Sequence, residues 1–326
     1  MKRIDGRTRF VVFLAALAVS GGALAQASSF PAKPVRWIVP FPPGGATDII
    51  ARIVAQKLTE TWGQAVLVEN RAGAAGAIGS EAVARSTPDG YTILMGTTST
   101  HAVSPAINPK LPYDTLADFT PVTLVATFPN VLVAHPSTAK TLQELIAQLK
   151  ANPGKYNFGS SGAGSSTHLT GELFKLMTGT DINHIPYKGT GPLLNDLIAG
   201  HVAFAFDQIT GVMSGVQSGK MRALGVASRE RNPALPDVPA IAEALPGFES
   251  TAWVGIFAPA RAPADIVAKI QTEARRIVHS PELAQRMRDL GATPVANPPA
   301  EFAAFVKKDT EKWRDLVRTA KIKIEQ

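Results

Sequence analysis

One stretch constrains the fold of this 326-residue chain more than any other: Val35-Arg36-Trp37-Ile38-Val39 followed by Pro40-Phe41-Pro42-Pro43-Gly44-Gly45-Ala46-Thr47-Asp48. The first five residues predict a short buried strand. Apolar residues at Ile49, Ile50, Ile53, Val54 and Leu58 then fall on one face of a helix, with Thr47 and Asp48 expected as its N-cap residues. A strand, a glycine turn and a helix start aim several unpaired backbone N–H groups and the positive end of the helix dipole at one point. Such a point suits a carboxylate or a phosphate.

A second stretch has the same grammar. Tyr156-Asn157-Phe158 predicts a strand, Gly159-Ser160-Ser161-Gly162-Ala163-Gly164-Ser165-Ser166-Thr167-His168 a turn, and Leu169, Leu173, Leu176 and Met177 one helix face. Neither turn contains Lys or Arg, so an anion held there would be bound by N–H groups and hydroxyls. A single turn of this kind is ordinary in any α/β protein. A matched pair in different halves of the chain points to a shared cleft.

Between and beyond these turns, strand and helix signals alternate, which predicts an α/β architecture of mixed sheets flanked by helices. Tyr91–Met95 is read as a strand ending in a hydroxyl-rich loop, Gly96 to His101. Pro121–Ala126 and Asn130–Ala134 are read as two strands split by a break at Phe128-Pro129, and Thr251–Ala258 as a return crossing. The C-terminal part reads as helical from Ala264 onwards. One lobe interrupted by a second, with crossing strands between them, is the geometry of a hinged binding protein.

The first residues read differently. Lys2, Arg3, Arg7 and Arg9 precede an apolar run from Phe10 to Val19, and Ala23-Leu24-Ala25 and Ala25-Gln26-Ala27 offer small-residue cleavage sites. This predicts a secretory signal peptide over residues 1–27 and a chain exported to a periplasm. The formal charge of +7 falls to about +4 once the leader's four basic residues and Asp5 are set aside. The remaining basic residues are scattered without interleaved aromatics, which argues against a nucleic-acid surface. There are no cysteines, which excludes disulfides and a thiol nucleophile. The six histidines show no metal-binding spacing, and no metal or cofactor is expected. Gly73, Gly76 and Gly79 follow a G-x-x-G-x-x-G pattern rather than a dinucleotide fingerprint.

Several motifs occur in order: Pro40 to Asp48, Glu69-Asn70-Arg71, Pro88-Asp89-Gly90-Tyr91, Gly159-Ser160-Ser161-Gly162, His168, Pro186-Tyr187-Lys188-Gly189, Leu235-Pro236-Asp237-Val238-Pro239 and Pro246-Gly247-Phe248. In this the chain resembles the substrate-binding receptors of tripartite tricarboxylate transporters, the Bug proteins. The resemblance runs over nearly all of the chain after the leader. It implies a type II periplasmic-binding-protein fold with a ligand cleft between two lobes. The expected division is 28–127 and 253–326 for the first lobe, and 128–252 for the second. It further implies capture of a small organic anion, a mono- or dicarboxylate, by a monomer that delivers it to membrane permease subunits.

The resemblance places the carboxylate on N–H groups of Gly45, Ala46 and Thr47, with Gly44 and Asp48 in the same turn. The matching donors of the other lobe are Ser160, Ser161, Ser165 and Ser166, with Gly164 among them. Phe41, Thr97, His101, His168, Tyr187 and Asp207 are the further candidates for the wall. No catalytic residue is expected. Two other functions are open to this sequence. A secreted serine hydrolase would use Ser161 or Ser165 with His168, although the G-x-S-x-G elbow fails at Ala163. A ligand sensor for a two-component signalling system would carry the same cleft.

Overall fold

The computed structural model describes residues 30–319, so the expected leader lies outside the described residues. Strand β1 (Val35–Val39) leads through the first glycine turn into helix α1 (Ala46–Trp62), whose Ile50, Val54 and Leu58 are fully buried. The helix begins two residues earlier than an N-cap at Thr47 implies. Its N-cap is Gly45, which contributes no side-chain cap, and it ends at Gly63 in the left-handed conformation, φ 63°. Strand β2 (Val66–Asn70), helix α2 (Ala77–Ala84) and strand β3 (Thr92–Thr97) follow. β1 pairs in parallel with both β2 and β3.

The hydroxyl-rich stretch expected as a loop over Gly96 to His101 is largely regular: Gly96 and Thr97 belong to β3. Ser99–Val103 coil into a wide helical turn that runs on into α3 (Ser104–Ile107). Next comes β4 (Phe119–Ala134), a single strand of 16 residues where the sequence reads as two. The proline at 129 removes only its own donor. Asn130 N–H, one residue on, donates to Ser250 O at 3.1 Å, so the ladder continues past it. β4 joins two sheets. Its first part lies antiparallel to β9 (Thr251–Pro259), from Phe119 opposite Pro259 to Pro129 opposite Thr251. Its last five residues pair with β7 (Phe204–Gln208) on one side and β8 (Arg222–Val226) on the other.

The second sheet is completed by β5 (Asn157–Ser160) and β6 (Asn183–Pro186), parallel to each other and, through β5, to β7. Around it lie α4 (Leu142–Ala151), α5 (Ser166–Thr178), α6 (Thr190–Ile198) and α7 (Ile209–Gln217). The chain returns through β9 to the first sheet, where β9 also pairs with β3. Helices α8 (Ala264–Val278) and α9 (Pro281–Asp289), the short strand β10 (Thr293–Pro294) and α10 (Pro299–Thr319) finish the fold. Trp253, Phe257, Phe302 and Trp313 make a buried aromatic cluster beneath α10.

The crossing point is tied by polar groups. Asn130, Thr170 and Ser250 are all 0% exposed, and Asn130 Nδ2 donates to Thr170 Oγ1 at 2.7 Å and to Ser250 Oγ at 3.0 Å. Buried polar groups satisfied by one another fix a single geometry, because each costs ~1–3 kcal/mol if left unpaired. Helix α5, which carries Thr170, is therefore held in a set position relative to the strands that change sheets.

Candidate functional site

Three helices begin at one place. Gly45, Ala46 and Thr47 at the start of α1, Ser166 at the start of α5 and Thr190 at the start of α6 all line one narrow cavity of about 20 Å³. First-turn N–H groups have no partner within their own helix, and each N-terminus acts as roughly half a positive charge. Strand ends close the walls: Thr97 at the end of β3 with Thr98 and Ser99 after it, Gln208 at the end of β7, and Ala252 and Trp253 at the start of β9. Phe41, Pro42 and Phe128 add apolar surface, and no lining residue carries a charged side chain. Past Phe41, Pro42 and Ser161, which border both spaces, lies a wider groove of about 690 Å³.

The two sides of the cavity touch. Ser166 N–H donates to Ser99 Oγ at 3.1 Å, so one first-turn donor of α5 is met by a hydroxyl from the other sheet's side. A Cβ at Gly45 would lie 3.1 Å from Thr190 Oγ1, and one at Gly189 would lie 2.6 Å from Pro42 Cδ. Glycine at 189, φ +106°, is what lets the turns before α1 and α6 approach this closely.

Side chains behind the wall hold it in place. Trp253 N–H donates to Thr98 Oγ1 at 2.7 Å, and its indole N–H donates to Asp309 Oδ2 at 2.7 Å. The Thr98 hydroxyl hydrogen is therefore left for the cavity. Asp48 shapes the first turn from behind. Its carboxylate accepts from Gly44 N–H at 3.0 Å, from Arg52 Nε at 2.9 Å and from Asn70 Nδ2 at 2.9 Å. Burial raises its pKa, but these three hydrogen bonds together hold it below the ordinary carboxylate value.

The candidate residues divide accordingly. Phe41, Gly45, Ala46, Thr47, Thr97, Ser161 and Ser166 lie on the cavity wall. Gly44 and Asp48 sit behind it in the turn just described. His101 is buried behind Thr97: its Nδ1 lies 2.8 Å from Thr100 Oγ1, its ring stacks on Phe257 at 4.1 Å, and burial pushes its pKa down to about 3. Ser160 Oγ is 2.7 Å from His184 Nε2, inside the second sheet. Ser165 is the N-cap of α5, accepting from His168 N–H. The His168 ring lies parallel to that of His184, centroids 3.7 Å apart, and its Nδ1 accepts from Gly164 N–H at 3.1 Å. Gly164 and Tyr187 line the outer groove, and the Tyr187 hydroxyl donates to Asp196 Oδ2 at 2.8 Å. Asp207 lies one residue before the wall residue Gln208, and accepts from Thr190 Oγ1 at 3.1 Å.

Thr98, Ser99, Thr190, Gln208 and Trp253 are wall residues that the sequence reading did not single out. Hydroxyl groups clustered at a strand end were a usable signal for Thr98 and Ser99. The others arrive from distant strands and a third helix start.

The serines that a hydrolase would use do not pair with His168. The hydroxyls of Ser161 and Ser165 both lie 2.9 Å from Thr167 Oγ1, not beside an imidazole. Of the Ser–His pairs that do occur, Ser137 with His135 is exposed and lines neither space, and Ser160 with His184 has a serine 0% exposed and a histidine whose pKa burial lowers to about 3. A base that weak takes up no proton near neutral pH.

The family described as "Tripartite tricarboxylate transporter family receptor" matches residues 50–322. The chain belongs to that receptor family. BugT of Bordetella pertussis is 38% identical over 97% of this chain and 99% of its own length. A solved structure described as a periplasmic transporter superposes with TM-score 0.88, at 44% identity over 91% of this chain and 100% of that one. A Rhodopseudomonas palustris protein solved with adipate gives TM-score 0.88 at 35% identity, covering 90% of this chain and 99% of that one. MatC of the same organism, solved with malate, gives 0.83 at 36% identity, covering 88% and 100%. These receptors are two-lobed periplasmic binding proteins, and this chain is a solute-binding member with that α/β fold. Among the described residues no helix is long and apolar enough to cross a membrane.

Proposed function

We propose that the protein captures a small organic carboxylate, mono- or dicarboxylate, between its lobes and delivers it to the membrane permease of a tripartite tricarboxylate transporter. One observation carries the reading: three helix N-termini converge on a cavity lined by hydroxyls and amides, with no charged side chain on its wall. An anion there exchanges water for preorganised N–H and O–H donors. The lobes we assign are 28–127 with 253–326, and 128–252, which part to admit cargo and meet on it. The ligands present in two relatives, adipate and malate, support a carboxylate cargo. We further assign export through the leader, residues 1–27, to the periplasm, where the receptor works as a monomer without a cofactor.

The test is a thermal-shift panel on protein unfolded and refolded to strip bound cargo. It should hold mono-, di- and tricarboxylates, amino acids and aromatic acids. A cargo at a hundred times its Kd stabilises by about 2.7 kcal/mol, a clear rise in midpoint. No rise with any acid would refute the reading. A sensor differs from a transport receptor in the partner and not in the cleft, so pull-down with the permease membrane subunits decides between them.

A further inference from the structure

We propose that Asp207 receives the cargo as a neutral carboxylic acid, so that each anion entering the cleft brings one proton from solvent with it. The inference rests on the carboxylate-binding reading above and adds a residue that sets its pH range and its preference for anions.

Asp207 is 0% exposed at the end of β7. Its Oδ1 accepts from Thr190 Oγ1 at 3.1 Å and from Gln208 N–H at 2.7 Å, and both of those residues line the cavity. Its Oδ2 is buried without a protein partner among the described residues. On the other side, Gly211 lies close to Thr190, to the start of α1 and to the carboxylate: a methyl group in its place would lie 3.3 Å from Thr190 Cγ2, 3.5 Å from Ala46 N and 3.9 Å from Asp207 Oδ1. The carboxylate thus stands immediately behind the place where the first and third helix N-termini meet.

No cation faces it. β4, β5 and α7, all packed on β7, carry no ionisable side chain. On α5, His168 is stacked on His184, Glu172 lies beside His168 at 3.8 Å, and Lys175 is in the last turn, away from the cavity. On α6, Asp196 is bound by Tyr187, and on α1, Asp48 is bound by Arg52. An ionised Asp207 and a bound carboxylate would be two like charges in one dry region without a counter-ion. That arrangement drives the more buried acid to hold its proton. Burial, against the lowering effect of the bonds from Gln208 and Thr190, already pushes the Asp207 acid up to about 7. A second negative charge can only raise it further.

The hydrogen bond to Thr190 turns the protonation state into a donor count. While Asp207 is ionised it accepts only, so the Thr190 hydroxyl hydrogen is committed to it and lone pairs face the cavity. Once Oδ1 carries the proton, Asp207 can donate to Thr190, and the Thr190 hydroxyl is free to donate to the cargo. The same proton removes a repulsion and supplies a donor.

The experiment is titration calorimetry of the refolded protein with malate and with adipate, between about pH 6.5 and pH 9, where both acids are ionised. The expected result is a Kd that rises with pH, approaching a tenfold change per pH unit above the Asp207 titration. At the alkaline end the binding heat should vary with buffer ionisation enthalpy, in proportion to about one proton taken up per cargo bound. Asp207→Asn should lose the slope. Binding of either acid with a flat Kd and no proton uptake in the wild type overturns this inference and leaves the carboxylate reading standing. A variant that keeps the wild-type slope overturns it as well. Failure of both acids to bind at every pH counts against this inference together with the reading it rests on. The buffer-dependent heat is read on the wild type and needs no variant to fold.

Discussion

At Gly45 the backbone has φ −81° and ψ 169°, an extended conformation open to any residue, so Gly45→Ala brings no backbone strain. The added methyl carbon would stand 3.1 Å from Thr190 Oγ1 and 3.3 Å from Thr190 Cβ, across the line where the two sides of the cavity meet. Atoms in good contact sit about 3.5–4.0 Å apart, so the opposing wall must retreat by a few tenths of an ångström. Overpacking of this kind costs about 1–3 kcal/mol. On the proposed closing of the lobes around cargo, that cost falls on the arrangement in which Gly45 and Thr190 touch. Kd should therefore rise about five- to 150-fold. Stability without cargo should hold or improve, because replacing glycine where alanine fits restricts the unfolded chain. Calorimetry with the acid chosen by the panel measures the first quantity, and the midpoint of the cargo-free protein measures the second. A Kd within twofold of wild type, in a protein of normal midpoint, would show that these two residues do not meet around the cargo.

Asp48→Asn should destabilise the protein by about 1–3 kcal/mol, because it weakens buried bonds to Gly44 and Arg52. Its folded pKa is depressed, so this contribution is present above the unfolded value of 3.8 and lost as pH falls through the folded value. Urea melts from pH 7 downwards should show the variant and wild type converging in acid, and parallel curves would contradict this. Asp207→Asn should act with the opposite sign. A pKa raised from 3.8 to about 7 means that Asp207 weakens folding progressively as pH rises between those values. Melts at pH 8 should find the variant more stable, by at most about 4 kcal/mol, and equal midpoints at pH 5 and pH 8 would refute it. Ser161→Ala should weaken cargo binding by about 1–3 kcal/mol if its hydroxyl is a buried donor, and unchanged calorimetric affinity would remove it from the site.

Local patterns in the chain carry most of the fold. The starts of α1 and α5 are legible because a glycine turn followed by an apolar stripe has few other solutions. The start of α6 is legible as a helix but not as part of the site, since Lys188-Gly189-Thr190 lacks the hydroxyl cluster that marks Ser160 to Ser166. Pro129 read as a break because a proline in a strand usually is one. Whether it interrupts depends on which neighbour's N–H completes the ladder, a fact of register. His101 ends the hydroxyl-rich stretch at the end of β3, which makes it a candidate for the wall. The wide helical turn over Ser99–Val103 rotates it into the core and presents Thr98 and Ser99 to the cavity instead. Gln208 and Trp253 reach the wall from strands far apart in sequence, so only the sheet order β9-β4-β7 places them there.

The absence of charged side chains from the cavity wall has a consequence for how such a receptor can change over generations. A grip made of main-chain amides depends on the room its turns leave and not on side-chain chemistry, since every residue but proline supplies the same N–H. The side chains around it, Phe41, Phe128, Gln208 and Trp253, can then drift and re-tailor the far end of the space. Holding on and choosing what to hold are assigned to different parts of the polymer. A lineage can exchange one acid for another without passing through a form that binds nothing.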